Sequence, residues 1–416
     1  MQIAGVLFVV RSYSRTGALP IKFRQIAAFL AKHADVHVLE LTHQREAVRV
    51  ENGVTIHSLE YSRVGKIFNP EKPWAITGAA GTSTYKRSLA VLKRRIRSLL
   101  FPDSVVSEVL RLRKEVVRLT MEHRFPVVVL SAFPFSVLLC AKSLRKFTDA
   151  RVVLDVGDPF YRNSTNGFLR DLLARRFEKK HLRFIDRLVV LSDAVRTHYL
   201  KSYSFLSPDK VETVAMGITE SLLPAPGGES DKGAKRIPGE PFRLVYAGHL
   251  YPKMREPFEL YRAVTAVNRK DNTKVHLQMY GAFSSEFSAG YERTEEICFP
   301  GPVEHDDIAR VYGSADALVF IDNAYGLQTP GKIFEVAFVN RPVLFIADRD
   351  QSPALDFIRG LNHIAVVRNN SESIAAAISE IMAMTPQYPS REEVSEFLWE
   401  KRAEEYNLVL NELAGE

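Results

Sequence analysis

Short, continuously apolar and β-branched runs recur along this chain, and patterns with helical periodicity separate them. In the first half the runs are IAGVLFVV (3–10), VHVLEL (36–41), PVVVLS (126–131), RVVLDV (151–156) and RLVVLS (187–192). Between them lie helical patterns such as KFRQIAAFLAKH (22–33) and FLRDLLARRFEKKHLRF (168–184). A strand that is apolar on both faces must be covered on both faces, so this alternation specifies a parallel sheet flanked by helices. Residues 224–241, PAPGGESDKGAKRIPGEP, then hold four Pro and four Gly with almost no apolar side chain, the composition of an exposed linker. A second series follows: 242–248, 274–281, 317–322, 341–347 and 363–367, with helical patterns at 257–269, 305–313, 331–338 and 371–384.

At 416 residues the chain exceeds what a single core usually organises. The expected architecture is therefore α/β: two doubly wound, Rossmann-like domains facing each other across a cleft. Their expected bounds are 1–223 and 242–390, with 224–241 as linker. The segment EEVSEFLWEKRAEEYNLVLNELA, within 391–416, reads as an amphipathic helix beyond the second sheet.

Composition excludes several classes. With 46% hydrophobic and 25% charged residues there is no room for extensive disorder. The two cysteines, Cys140 and Cys298, sit far apart in apolar stretches and read as buried, reduced thiols rather than a disulfide or metal framework. The first apolar run is about eight residues long and lacks signal-peptide flanks, so it reads as a strand. No stretch approaches the roughly 18–20 apolar residues of a membrane span. The net charge of +7 is local: residues 86–118 carry ten Lys or Arg against three Asp or Glu, an excess equal to that of the whole chain. Without a zinc-finger, helix-turn-helix or RNA-recognition pattern, that segment suggests an anionic surface and not nucleic acid.

In open α/β sheets ligands bind beyond the carboxyl ends of the strands. The most informative loop there is GLQTPGKIFEVAFVNRPVLFI, 326–346. Thr329, Pro330 and Gly331 precede a short helix whose first N–H groups and dipole would favour an anion. Lys332 adds a full positive charge, and Glu335, about one turn on, could accept hydrogen bonds from vicinal hydroxyls such as those of ribose. Pyrophosphate beside ribose describes a nucleotide diphosphate. An ordinary surface helix carrying a Lys and a Glu has the same spacing.

The run QTPGKIFEVAFVNRPVL resembles the Pro-Ser-Lys-hydrophobic-Phe-Glu-Tyr segment of GT-B-fold glycosyltransferases similar to glycosyltransferase family 4, especially those building bacterial surface polysaccharides. Further fragments match in order: Thr16-Gly17, Phe101-Pro102-Asp103, the strand ending in Asp155 to Asp158, DRLVVLSDAVRTHYL, ETVAMGITES, LVYAGHLYPKMREP and FPGPVEHDDIARVYGSADALVFI. The resemblance implies a nucleotide-sugar donor in the C-terminal domain, a glycan or lipid-linked acceptor in the N-terminal domain, and a final helix crossing back to the first domain. It places Gly17, Gly248, Lys253, Arg255, Thr329, Lys332 and Glu335 at the donor. Three departures stand out. Leu327 occupies the first position of the usual Glu-x7-Glu pair, the usual Gly-Gly of the first loop is reduced to Gly17, and Gly-Arg becomes Gly248-His249, leaving Lys253 and Arg255 as phosphate cations.

On the acceptor side, LDVGDPFYRN sets Asp155 and Asp158 at a strand end, where a carboxylate could take a proton from a hydroxyl. Asp158 is the preferred catalytic residue; capping of the following turn is the other reading for both. Asp348-Arg349-Asp350 is not read as a metal site, and His305, Asp306 and Asp307 read as a helix start. No metal or further cofactor is expected. Leu89, Leu92, Ile96, Leu99 and Leu100 form one helical stripe flanked by Lys86, Lys93, Arg94, Arg95 and Arg97, the pattern of an interfacial helix on anionic lipid, or of a surface helix packed on a core. The expectation is a cytoplasmic, metal-independent glycosyltransferase in peripheral contact with the inner face of the cell membrane through 86–100. A nucleotide-sugar epimerase of the same fold and a non-catalytic glycan-binding protein are the alternatives.

Overall fold

The computed structural model describes residues 3–15, 17–70, 99–164, 166–222, 240–270, 274–291, 294–304 and 307–415. Two compact units emerge: Met1–Ala215 together with Arg402–Glu416, and Met216–Lys401. Most of the basic segment 86–100, Thr16, His305 and Asp306 lie outside the described residues.

The first unit is built on strands β1 (Gly5–Val10), β2 (Asp35–Thr42), β3 (Ala47–Glu51), β4 (Val54–Glu60), β5 (Val127–Ser131), β6 (Arg151–Val156), β7 (Arg187–Val190) and β8 (Val211–Thr213). Their order is β3-β4-β2-β1-β5-β6-β7-β8. Strands β1 and β5 are buried throughout, as their unbroken apolar runs require. The sheet is not purely parallel. Strand β3 pairs antiparallel to β4 through a two-residue turn at Asn52-Gly53, where both residues have positive φ (51° and 78°). Only residues that tolerate left-handed backbone close such a hairpin, and Asn-Gly is the strongest pair for it.

The last helix, Trp399–Gly415, returns to this unit. Ala403, Tyr406, Leu410 and Leu413, spaced three and four apart, are buried in one cluster with Phe8, Phe23 and Val153. Each large apolar side chain there contributes roughly 1.5–3 kcal/mol of burial. The C-terminal amphipathic stretch is not one continuous helix: Arg391–Ser395 and Trp399–Gly415 are separate. The break carries a bridge in which Ile218 N–H donates to Phe397 O (2.9 Å) and Trp399 N–H to Ile218 O (3.2 Å).

Asp155, one of the two carboxylates at the end of β6, is committed to this core. It is an ion pair with Lys22, at 2.8 and 3.0 Å, with neither side chain exposed. The Tyr406 hydroxyl donates to the same carboxylate at 3.0 Å. Helix Ala18–Leu30, strand β6 and the returning helix are thus joined at one buried charge pair.

The second unit carries β9 (Phe242–Ala247), β10 (Val275–Tyr280), β11 (Ile297–Gly301), β12 (Ala317–Ile321), β13 (Val343–Ala347) and β14 (Ile364–Arg368), all parallel, in the order β11-β10-β9-β12-β13-β14. Helices Phe258–Lys270 and Ser371–Ala383 help cover it. Cys140 is buried, and burial pushes its thiol up to about 12. Cys298 is exposed, contrary to the sequence expectation. It lies on the edge strand β11, where alternate side chains face outward.

Candidate functional site

In the second unit the loops at the carboxyl ends of β9, β12 and β13 converge. Gly248 N–H donates to Tyr280 O at 3.0 Å. Gly281, at the end of β10, lies so close that a Cβ there would stand 2.2 Å from the Gly248 carbonyl oxygen, which confines the position to glycine. After Gly248 the chain forms a tight turn in which Tyr251 and Arg255 exchange backbone hydrogen bonds of 3.1 and 2.8 Å. Lys253 sits at its tip with φ 64°, its backbone N–H donating to Glu256 at 2.6 Å and its side chain exposed.

Arg255 ties this turn to the next loop. Its guanidinium donates to the His249 carbonyl (3.1 Å) and to Asn323 Oδ1 (2.6 Å), and it stacks on Tyr251. Ala324 N–H adds a 2.8 Å bond to the Met254 carbonyl. Asp322, directly after β12, is buried; one carboxylate oxygen accepts from Asn323 N–H at 2.7 Å and the other has no partner. Burial raises its pKa, while Ser352, the Asn323 N–H, Arg349 and Arg255 pull it back.

The loop from 322 to 331 leads into a helix of only five residues, Lys332–Val336, shorter than the 331–338 expected. Its Ile333 N–H is already bonded to Pro330 O at 3.0 Å, so the short helix supplies less free N–H and less dipole than the sequence suggested. Thr329 is buried and its hydroxyl has no partner. The Lys332 ammonium and a Glu335 carboxylate oxygen are 2.7 Å apart, with Glu335 the more buried of the two. His249 is held below its usual pKa by desolvation, then by the positive charges of Arg255 and Lys332. The Tyr312 hydroxyl, buried and without a partner, is raised by burial and then by the Glu335 charge.

Gly248, Arg255, Thr329, Lys332 and Glu335 therefore belong to one group of loops, with Lys253 on its rim. His249, Asp322, Asn323 and Tyr312 join them, although no expectation gave any of the four a role in the site. An Asp-Asn pair at the carboxyl end of an apolar strand was the available signal for two of these. Asp350 of the Asp-x-Asp stretch is paired with Arg368, whose guanidinium also donates to the Asp348 carbonyl at 3.2 Å.

Gly17 and Asp158 lie in the first unit. Gly17 precedes helix Ala18–Leu30 with φ 139°. Its neighbour Leu19 approaches Gly157, where a Cβ would stand 3.3 Å from Leu19 Cδ2, so both residues border the same loop. Asp158 is half-buried and makes no hydrogen bond or ion pair with any described residue. The turn-capping alternative is therefore not realised for Asp158. Desolvation raises its pKa to about 6. The loop beyond it is anchored by buried Glu178, which accepts from the Phe160 and Tyr161 N–H groups (3.1 and 3.2 Å) and from the Tyr199 and Tyr203 hydroxyls (2.7 Å each). A rigid loop thus holds an unpaired carboxylate whose protonation changes near neutral pH.

Residues 241–384 match the family model for glycosyl transferases group 1. Among solved structures, sucrose-phosphate synthase (tll1590) from Thermosynechococcus elongatus is 14% identical with a TM-score of 0.71, covering 99% of both chains. The lipopolysaccharide outer core galactosyltransferase WaaB is 10% identical with a TM-score of 0.59, over 97% of this chain and 99% of that one. Anabaena Alr3699/HepE, solved with UDP and glucose, is 12% identical with a TM-score of 0.57, over 99% and 97%. No curated protein sequence matches the chain. At these identities the likeness is one of fold, and the fold is GT-B.

Proposed function

We propose that this chain, whose second unit is a glycosyl transferases group 1 domain, moves a sugar from a nucleotide diphosphate to a hydroxyl of a glycan or lipid-linked glycan. The observation that carries the reading is the convergence, inside that domain, of Arg255, Lys332 and Glu335 at the carboxyl ends of parallel strands. Lys253, Arg255 and Lys332 neutralise the diphosphate, Glu335 accepts from the ribose, and the Thr329 hydroxyl supplies a polar contact. Gly17, in the loop between β1 and helix Ala18–Leu30, is assigned to donor binding from its sequence pattern. Asp158, on the acceptor unit, takes the proton of the attacking hydroxyl. Three cationic side chains can offset the leaving-group charge without a divalent ion, so transfer is expected to survive a chelator.

A role in bacterial surface polysaccharide synthesis is supported by the GT-B likeness to WaaB. The reading extends to peripheral contact with the inner leaflet, for which exposed apolar side chains of the first unit are the support. Leu99 is 81% exposed, and Phe168 and Leu169, on the helix whose Arg170 donates to the Pro102 carbonyl, are 85% and 73% exposed. No described helix is long and apolar enough to cross a membrane.

The test is a thermal-shift screen of nucleotide diphosphates and their sugars, followed by product analysis with the stabilising donor. A ligand that binds only the native state raises its stability by mass action. Acceptor-dependent release of free nucleotide diphosphate is the expected product. Conversion of the donor without nucleotide release would identify an epimerase, and binding without turnover across an acceptor panel a non-catalytic glycan-binding protein.

A further inference from the structure

Three histidines meet at the end of the first sheet opposite to Asp158. His37 is the third residue of β2, His57 lies on the adjacent strand β4, and His123 ends helix Val109–His123. One ring nitrogen of each lies within 4.8 Å of the other two. The closest pair, His57 Nε2 and His37 Nδ1, is 2.9 Å apart. The rings are braced by Phe125, whose centroid is 4.9 Å from that of His37 and 5.3 Å, stacked, from that of His123. None of the three has a part in the sugar-transfer site.

The hydrogens on His37 follow from its other neighbour. Asp35 Oδ1 stands 3.2 Å from His37 Nε2. An ionised carboxylate only accepts, so Nε2 carries the hydrogen and Nδ1 directs its lone pair at the other two rings. A carboxylate fixing the tautomer of an imidazole whose second nitrogen faces a cluster of histidines is the outer-shell arrangement of metal sites.

We propose that His37, His57 and His123 form a binding site for a zinc-class divalent transition ion. His37 donates through Nδ1, His57 through Nε2, and His123 through a ring nitrogen. Water takes the fourth position, because His123 is exposed and leaves the site open on that side. Imidazole nitrogens suit zinc, copper and nickel. Tetrahedral zinc with Zn–N bonds of about 2.0–2.1 Å spaces its ligand nitrogens at roughly 3.3–3.4 Å, so the close pair need open only by a few tenths of an ångström.

Without metal the short contact is a hydrogen bond from His57 Nε2–H to the His37 Nδ1 lone pair. With metal, His57 moves its hydrogen to Nδ1, and no proton is lost overall. The bound ion would fasten the end of a helix to two strands and steady the first unit.

The experiment uses the full chain prepared without a polyhistidine tag, stripped with chelator and dialysed. Zinc is titrated against a chromogenic chelator, and cobalt is added separately to look for the visible absorption of a tetrahedral site. One ion per chain, a rise in melting temperature with zinc, and at least a tenfold loss of affinity in His123→Ala and His57→Gln are the expected results. His123→Ala alters an exposed position and leaves the fold safe. Asp35→Asn removes no ligand and is expected to weaken binding about tenfold. Absence of stoichiometric binding by the wild type, or equal affinity in the wild type and both histidine variants, overturns the site and leaves a hydrogen-bonded histidine stack.

Discussion

The Lys332 ammonium stands 2.7 Å from the Glu335 carboxylate, three residues further along the same short helix. Each is therefore pre-positioned by the other, and each is available to a different part of a nucleotide diphosphate. Removing the carboxylate in Glu335→Ala takes away a charge-assisted hydrogen bond of roughly 1.5–3 kcal/mol, so nucleotide affinity is expected to fall about tenfold or more while the unit stays folded. Glu335→Gln keeps an acceptor and is expected to lose less. Isothermal titration of both variants with the stabilising nucleotide measures the difference; wild-type affinity in a well-folded Glu335→Ala would sink the ribose role.

No described residue pairs with Asp158, and desolvation alone shifts its titration. Its folded pKa of about 6 lies above the unfolded value of 3.8, so between those values the unfolded chain gives up the proton first. Stability is therefore lost as pH rises from about 4 to about 6, and the deficit persists above that range. Asp158→Asn removes the deficit, and is expected to melt above the wild type at pH 8 and with it near pH 3.5. Activity runs the other way. If the ionised carboxylate accepts the acceptor proton, kcat/KM rises through about pH 6, and the Asn variant loses roughly a hundredfold or more together with that limb. An unchanged acid limb in the variant would remove Asp158 from the reaction.

The buried pair of Lys22 and Asp155 predicts a graded loss of stability. Asp155→Ala leaves an ammonium buried without its counter-charge, a change of about 3–5 kcal/mol. Tyr406→Phe deletes only the 3.0 Å hydrogen bond to the same carboxylate, about 1.5–3 kcal/mol. The double replacement Lys22→Met with Asp155→Leu removes both charges at similar volume and is expected to be milder than Asp155→Ala. Hydrogen exchange at the amides of β6 reports all three; equal protection in Asp155→Ala and the double variant would contradict this ordering.

The doubly buried strands were legible because a strand covered on both faces is apolar at nearly every position: β1 and β13 are apolar throughout, β5 is but for Ser131, and β6 is but for Arg151 and Asp155. Strand β3 was missed for the converse reason. Its Val48 and Val50 are 65% and 67% exposed on an edge, and Arg49 and Glu51 break any apolar run. Only the Asn52-Gly53 turn announced the hairpin. Choosing between Asp155 and Asp158 needed the fold, because the partners that bury Asp155 lie 133 and 251 positions away in sequence. Thr329, Lys332 and Glu335 were legible because their relationship is local, whereas the link from Arg255 to Asn323 spans 68 positions. The histidine cluster escaped for the same reason, since two strands and a helix end bring it together.

The last prediction concerns the membrane. The stripe Leu89, Leu92, Ile96, Leu99 and Leu100 offers apolar area to the headgroup region, and each neighbouring Lys or Arg is worth about 1 kcal/mol at an anionic surface. Apart from its last two leucines this stripe lies outside the described residues, but Leu99, Phe168 and Leu169 are exposed apolar side chains in the first unit. Purified protein is expected to sediment with anionic vesicles and not with neutral ones, and to be released as salt shortens the reach of the charges. Replacing Lys93, Arg94 and Arg97 together by Glu reverses six units of charge and should abolish sedimentation. Phe168→Asp with Leu169→Asp should weaken it while the basic segment is intact. Nucleotide binding, proposed for the second unit, should be unchanged in both variants. If the wild type ignores anionic vesicles even at low salt, the apolar stripe packs on the protein and the acceptor reaches the enzyme from solution.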